Sequence, residues 1–331
     1  MQKVHFNEDV LTLLSTWRKA GQRGWMVTVA STWGASPRPA GAMMAIGAGN
    51  ELAGSVSGGC VEDDLVARVL EDCPDRPLVL SYGVTAEQAA ARRLPCGGTL
   101  QLVVEAYDGG DWPDAVLRHL RERRGCVKHT DMADGRVQVL PADEITAPQL
   151  NLQNFSVPFD PPWRMVIVGA AQLSIEVARI AAHLDYAVVI CEPRPTYRQA
   201  WPLNGVELLD AMPDDYLRAN PPDPQTVVLS LSHDPRYDDL ALLEALDSPA
   251  FYVGALGSRA SSRARRVRLA EHFDMTEAQL ARLSGPVGID LGTRNPAEIA
   301  LGILAEITAR RRGVRLHSER GAPDTAIGVS A

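Results

Sequence analysis

The sequence predicts an α/β protein with two domains, an N-terminal α+β domain over 1–140 and a doubly wound parallel-sheet domain over 163–313. Three observations carry this. In the second half, short apolar runs alternate with helical periods across short connections, which is the pattern of repeated βα units with right-handed crossovers and hence of a Rossmann-like sheet. In the first half, strands and helices come in mixed order. Between them the stretch 141–162, PADEITAPQLNLQNFSVPFDPP, has five prolines and no sustained period, and reads as a linker. The polar residues 314–331 read as a mobile tail.

The elements follow in order. Val10, Leu11, Leu14 and Trp17 form the apolar face of a first helix, with Asn7 as its candidate N-cap. Strands are expected at 25–30, 42–46, 78–82 and 100–105. Between the second and third, Val61, Leu65, Val66, Val69 and Leu70 mark an amphipathic helix. Thr85-Ala-Glu-Gln88 resembles a capping box opening a short helix to Leu94, and 113–124 reads as another helix. In the second domain, strands are expected at Met165–Val168, Ala187–Cys191, Thr226–Leu231, Phe251–Val253 and Val287–Ile289. Helices are expected from Gly169 to about Asp185 and at 236–246, 260–272 and 296–310. The last begins with Asn295 as N-cap, Pro296 at N1 and Glu298 at N3.

Composition narrows the function. The chain has 331 residues, 46% of them hydrophobic, which suits a soluble protein with sizeable cores. Thirty-three basic against 41 acidic residues give a net charge of −8, with no basic excess for nucleic acid. No apolar run is long enough to span a bilayer, and the N-terminus shows no signal-peptide core, so no membrane partner is expected. Five cysteines, odd in number and sparse, fit a reducing cytoplasm better than a disulfide scaffold.

The segment Gly54-Ser-Val-Ser-Gly-Gly-Cys60-Val-Glu-Asp-Asp64 places a thiol after a Gly-Gly turn, at or next to a helix N-cap. Free N–H groups there suit an anion and lower a thiol pKa. Glu62, Asp63 and Asp64 oppose a thiolate, so Cys60 is better suited to ligating a soft centre than to nucleophilic attack. Cys96, in Pro95-Cys96-Gly97-Gly98, repeats the theme. Cys73, Cys126 and Cys191 fit the ordinary expectation of buried, inert thiols. No C-x-x-C or H-E-x-x-H occurs, which speaks against a preformed zinc site.

In the second domain, Gly169-Ala-Ala-Gln-Leu-Ser174 occupies the dinucleotide-turn position, with Glu192 where a ribose-binding acid belongs. Only the first glycine of the fingerprint is present. NAD(P) in its usual pose and a Rossmann-type fold without dinucleotide both remain open. His233 follows the strand expected at Thr226–Leu231, with Asp234 and Asp238 placed to orient its ring. Gly257-Ser258-Arg259 opens a helix whose amides can receive an anion, and Arg259, Arg263 and Arg266 share a face of it. Gly288-Ile-Asp290-Leu-Gly292 suggests tight backbone packing at the same crevice edge.

Together these segments resemble the xanthine dehydrogenase accessory proteins (XdhC/CoxI type), the molybdenum cofactor insertion chaperones. The resemblance covers roughly 8–312. It rests on Gly34-Ala-Ser-Pro37-Arg38-Pro-Ala-Gly41, the Cys60 and Cys96 segments, Ser232-His233-Asp234, Tyr252-Val-Gly254-Ala-Leu-Gly-Ser258-Arg259, and Pro286-Val-Gly-Ile-Asp290-Leu-Gly292 running into Asn295-Pro-Ala-Glu298-Ile. It implies a homodimeric chaperone that binds Mo-molybdopterin, shields it, assists its sulfuration with a cysteine desulfurase as sulfur donor, and delivers it to an apo molybdenum hydroxylase. Cys60 and Cys96, with Gly59 and Gly97 beside them, would then meet the molybdenum–dithiolene end. Gly257, Ser258 and Arg259 would meet the phosphate, with Arg38, His233 and Asp290 as further cofactor contacts. The family often carries Gly-Ala-Gly-His where this chain has Gly169-Ala-Ala-Gln172. The residues also leave open an NAD(P)-dependent oxidoreductase built on the second domain, and a sulfurtransferase with a persulfide on Cys60.

Overall fold

The computed structural model describes residues 6–34, 38–83, 99–142 and 144–314. The expected helix at 85–94, Cys96 and Gly97, and the tail beyond residue 314 lie outside them. The chain divides into two compact units that meet in sequence at Pro162 and Trp163.

The first unit opens with α1 (Phe6–Ala20), whose Val10, Leu11, Leu14 and Trp17 are buried as their spacing predicts. Asn7 lies inside this helix instead of capping it, and its side-chain amide donates to the Gly41 carbonyl at 3.0 Å. β1 (Gly24–Trp33), β2 (Met43–Gly47), β3 (Leu52–Gly54), β4 (Leu78–Tyr82) and β5 (Thr99–Tyr107) form an antiparallel sheet in the order β3-β2-β1-β5-β4. α2 (Glu62–Asp72) buries Leu65 and Val69 against a core that includes Val27, Ile46, Leu80, Leu102 and Val104. α3 (Trp112–Arg121) packs with α1 on a second core built from Met26, Met43, Val103, Phe155 and Val157.

The proline-rich stretch is not a linker. β8 (Gln149–Leu150) and β9 (Asn154–Phe159) lie within it, and β9 pairs antiparallel with β6 (Cys126–Asp131) from Asn154↔Asp131 to Phe159↔Cys126. With β7 (Val137–Pro141) they make a four-stranded sheet, β7-β6-β9-β8. Phe155, Val157 and Phe159 alternate into the core, a period-2 signal masked by the surrounding prolines.

The second unit is a parallel sheet of β10 (Arg164–Val168), β11 (Ala187–Cys191), β12 (Glu207–Leu209), β13 (Thr226–Ser230), β14 (Tyr252–Ala255) and β15 (Leu283–Ser284). Its order, β12-β11-β10-β13-β14-β15, is that of the Rossmann fold, and its topological switch point lies between β10 and β13. The sixth strand is Leu283–Ser284 and not Val287–Ile289. The latter segment instead runs under α10 (Pro296–Arg311), where the Ile289 N–H donates to the Gly302 carbonyl at 3.1 Å. α4 (Gln172–His183) and α10 cover one face, while α6 (Pro213–Ala219), α7 (Pro235–Leu246) and α8 (Arg259–Phe273) belong with the other core. Short helices α5 (Pro195–Gln199) and α9 (Glu277–Ala281) complete the unit.

Candidate functional site

Among the described residues three glycine-bearing turns carry the expected chemistry, and the structure treats them differently. At the first, Gly58 (φ 78°) and Gly59 (φ 103°) turn the backbone so that several N–H groups converge, a conformation that glycine adopts without strain. The convergence is already filled. Oε1 of Glu62 accepts from the Ser55 hydroxyl at 2.6 Å, the Val56 N–H at 3.2 Å and the Ser57 N–H at 2.9 Å. Oε2 accepts from the Gly59 N–H at 2.9 Å, the Val61 N–H at 3.2 Å and the Ser57 hydroxyl.

The amides that the sequence offers to an external anion are therefore taken by the protein's own carboxylate. Burial pushes the Glu62 carboxyl up, but the Ser55 and Ser57 hydroxyls and the backbone N–H groups outweigh it and hold the pKa at about 2. Glu62 thus orders the turn as well as the helix terminus, and its position three residues after Gly59 is the signal that could have found it. Val61, not Cys60, is the N-cap; Cys60 sits one residue before it, half-buried against the core of this sheet. The Cys60 N–H donates to the Ser57 hydroxyl at 2.9 Å. Among the described residues, a side chain built on Gly59 would meet nothing within 4 Å, so they leave the space beside Cys60 open. Arg38 lies half-buried in the β1–β2 connection.

The Rossmann turn is closed in the same way. Glu192 is fully buried. Its Oε2 accepts from the Ala170 N–H at 2.9 Å, and its Oε1 from the Arg194 N–H at 3.0 Å. The Arg194 guanidinium grips both oxygens at 2.7 Å. Burial raises the pKa of this carboxyl, but the Arg194 guanidinium and the amides more than compensate, leaving it below the ordinary glutamate value. A ribose-binding acid points toward ligand; this one points back into the turn where a pyrophosphate would lie. A Cβ on Gly169 would sit 2.7 Å from the Ser232 Cα, so the segment after β13 packs directly on the turn.

His233 is exposed, in the left-handed region at φ 64°. The two aspartates do not orient it. Asp234 caps α7 through the Arg236 N–H at 3.0 Å and pairs with the Arg236 guanidinium, which holds its pKa at about 2. Asp238 instead accepts from the Ser232 N–H and hydroxyl at 3.2 and 2.8 Å.

The third turn is open. Gly257, Ser258, Arg259 and Asp290 line one crevice of about 400 Å³ with Pro286, Gly288, Leu291 and Thr293. Ser258 caps α8 by accepting from the Ser261 N–H at 3.1 Å. Arg259 is exposed and makes no ion pair among the described residues. The rest of the arginine run is mostly structural, contrary to a shared anion face. Arg265 is buried and donates to the Leu256 carbonyl at 3.1 Å, Arg266 donates to the Leu283 carbonyl at 2.5 Å, and Arg268 pairs with Asp239 at 2.5 Å.

The far wall of this crevice is set by close packing. A Cβ on Gly288 would meet the Ile303 backbone N at 2.9 Å, and one on Gly302 the Ile289 carbonyl O at 2.6 Å. Asp290 accepts from the Gly292 N–H at 2.9 Å. The crevice thus combines a helix N-terminus and a free guanidinium, the donor set for a phosphate. Cys126 and Cys191 are buried, with pKa values pushed by burial to about 11 and about 12. Cys73, expected to be buried, is exposed. No group of three or more metal-ligating side chains occurs among the described residues.

These features define a two-unit α/β protein: an antiparallel unit bearing a Gly-Gly-Cys turn, and a Rossmann-like unit whose phosphate turn is occupied by its own carboxylate while a second turn stays open. The chain belongs to the XdhC and CoxI family: that family's model matches residues 17–83, and the XdhC Rossmann domain matches residues 165–307. It is 29% identical over 301 residues to the molybdenum cofactor insertion chaperone PaoD of Escherichia coli (strain K12), covering 91% of this chain and 86% of that protein. It is 23% identical over 337 residues to a probable xanthine dehydrogenase subunit of Bacillus subtilis (strain 168), covering 92% and 98%. A crystal structure of a xanthine dehydrogenase from Bacillus halodurans shares the fold, with a TM-score of 0.71 at 23% identity over 94% of this chain and 98% of that one. No helix among the described residues is long and apolar enough to cross a membrane.

Proposed function

We propose that this protein is a binding chaperone for molybdenum cofactor. It holds Mo-molybdopterin as cargo, protects it, assists its sulfuration with sulfur from a cysteine desulfurase, and inserts it into an apo molybdenum hydroxylase of the xanthine dehydrogenase/aldehyde oxidoreductase type. The observation that carries this is the open crevice at Gly257-Ser258-Arg259, in a chain whose Gly58-Gly59 and Gly169 turns are filled by Glu62 and Glu192. That crevice offers the cofactor's phosphate a free guanidinium and a helix N-terminus.

The half-buried Cys60 thiol, with open space at Gly59, is a soft donor suited to the molybdenum end. Cys96 is proposed as its companion. Family membership and the similarity to PaoD support the same reading. An NAD(P)-dependent oxidoreductase fits less well, because Glu192 holds the Ala170 amide that a pyrophosphate would need.

The test is cofactor analysis of protein purified from cells that make molybdopterin, with the bound pterin oxidised to its fluorescent form. About one molybdopterin per chain is expected. Arg259→Ala should weaken retention about tenfold, the order of one charge-assisted hydrogen bond. Cys60→Ala should lower the molybdenum content of the retained cofactor. Cofactor-free protein that also fails to activate an apo hydroxylase would refute the proposal.

A further inference from the structure

The first unit contains a second crevice, of about 350 Å³, whose lining does not include the Cys60 turn. That volume lies in the range of small-molecule sites. Glu105 on β5 and Lys128 on β6 line it, and both are buried, with side-chain exposures of 6% and 1%. The Lys128 ammonium donates to Glu105 Oε1 at 2.5 Å and to the Thr130 hydroxyl at 2.7 Å, and the Thr130 hydroxyl donates to the same Oε1 at 2.6 Å. The ammonium also stands 4.9 Å from the centre of the Trp112 ring.

Both bonds that Glu105 accepts fall on Oε1. The other oxygen, Oε2, is buried and accepts nothing among the described residues. Leaving a buried carboxylate oxygen without a donor is costly, so this atom calls for a partner. The same crevice is lined by Trp25, Tyr107 and Trp112, with Met26 and Val137. At the rim Asp75, Asp108 and Asp134 outnumber Arg23. This lining disfavours an anion and favours a flat group that brings N–H donors to an acidic pocket walled by aromatic rings.

We infer that this crevice binds a planar heterocycle bearing an amino group beside a ring N–H, the edge shared by pterins and guanine, with its donors directed at Glu105 Oε2. The pterin arm rests on the cofactor reading above, and the crevice assignment does not. Glu105 and Lys128 form a buried pair whose disruption could unfold the chain, so the test leaves them intact. Ala48 is an exposed residue of the crevice wall, and Ala48→Trp would block the space without touching the pair. Cys73 lines the same crevice and is exposed, so its alkylation reports occupancy.

The full chain is titrated by calorimetry with 6-hydroxymethylpterin, with guanosine, and with lumazine, which replaces the amino donor by a carbonyl. Alkylation of Cys73 by iodoacetamide is followed by peptide mass spectrometry in the same samples. Saturable binding of pterin or guanosine is expected, at least tenfold tighter than lumazine, with Cys73 protected and both effects lost in Ala48→Trp. The tighter of the two ligands identifies the source. Absence of binding by both, or binding unchanged in a folded Ala48→Trp protein, would overturn the inference. A chain that binds free pterin here yet copurifies without molybdopterin would refute the chaperone proposal and leave this one standing. Retention of molybdopterin without pterin binding would do the reverse.

Discussion

The Oε2 atom of Glu192 accepts a hydrogen bond from the Ala170 N–H at 2.9 Å, so the acid at the end of the second strand closes the turn after the first. In a dinucleotide-binding domain these two features face a shared ligand; here they satisfy each other. Nicotinamide titration should give no saturable binding. Glu192→Ala should destabilise the protein by about 3 kcal/mol, because it strands the Arg194 charge and a buried amide. Urea unfolding measures the loss, and tight quenching by NAD(P)H would contradict the closed turn.

Glu62 predicts a pH signature. Its folded pKa of about 2 lies below the ordinary value of 4.5. A depressed carboxylate contributes stability that is fully present above the unfolded pKa and is lost as pH falls through the folded one. The contribution should therefore vanish between about pH 4.5 and pH 2. Glu62→Gln should cost about 2 kcal/mol at neutral pH, the scale of hydrogen bonds to a charged group. Urea midpoints from pH 6 to pH 3 should fall more steeply for the natural chain than for the variant.

Thiol reactivity should separate by burial. At pH 8, iodoacetamide should label the exposed Cys73 readily and Cys60 more slowly. It should leave Cys126 and Cys191 unmodified in the folded protein, since burial raises both thiols to about 11 and about 12. Peptide mass spectrometry over a time course checks the order. Early labelling of Cys191 would contradict its place at the end of a buried strand.

Gly302→Ala tests the crevice wall. Alanine is the better helix former by about 1 kcal/mol, yet its Cβ would lie 2.6 Å from the Ile289 carbonyl. Helix α10 would have to move off the Gly288–Ile289 segment. A net loss of about 2 kcal/mol is expected from such overpacking. A drop in thermal midpoint with weaker molybdopterin retention would place the two effects on one wall, whereas a stabilised variant would refute the close approach.

Apolar periodicity alone determined much of this protein. The buried strands Met165–Val168 and Ala187–Cys191, the face of α1, the helix after Cys60 and the Asn295 start of α10 follow from which residues must leave water. Such local signals survive because burial of a stripe depends little on what covers it. The same rule failed at 149–159, where prolines obscured an alternating strand, and at 287–289, where an apolar run packs under a helix without joining the sheet.

Only the tertiary structure decided which polar groups meet. Glu62 and Glu192 fill amide turns that an anion could have taken; Arg265, Arg266 and Arg268 tie the fold together while Arg259 makes no ion pair among the described residues; Lys128 and Glu105 pair between two sheets. A charged residue in sequence states its donors and acceptors but not its partner. The partner is chosen by which segments the folded chain brings within about 3 Å, and by the cost of burying whatever remains unpaired.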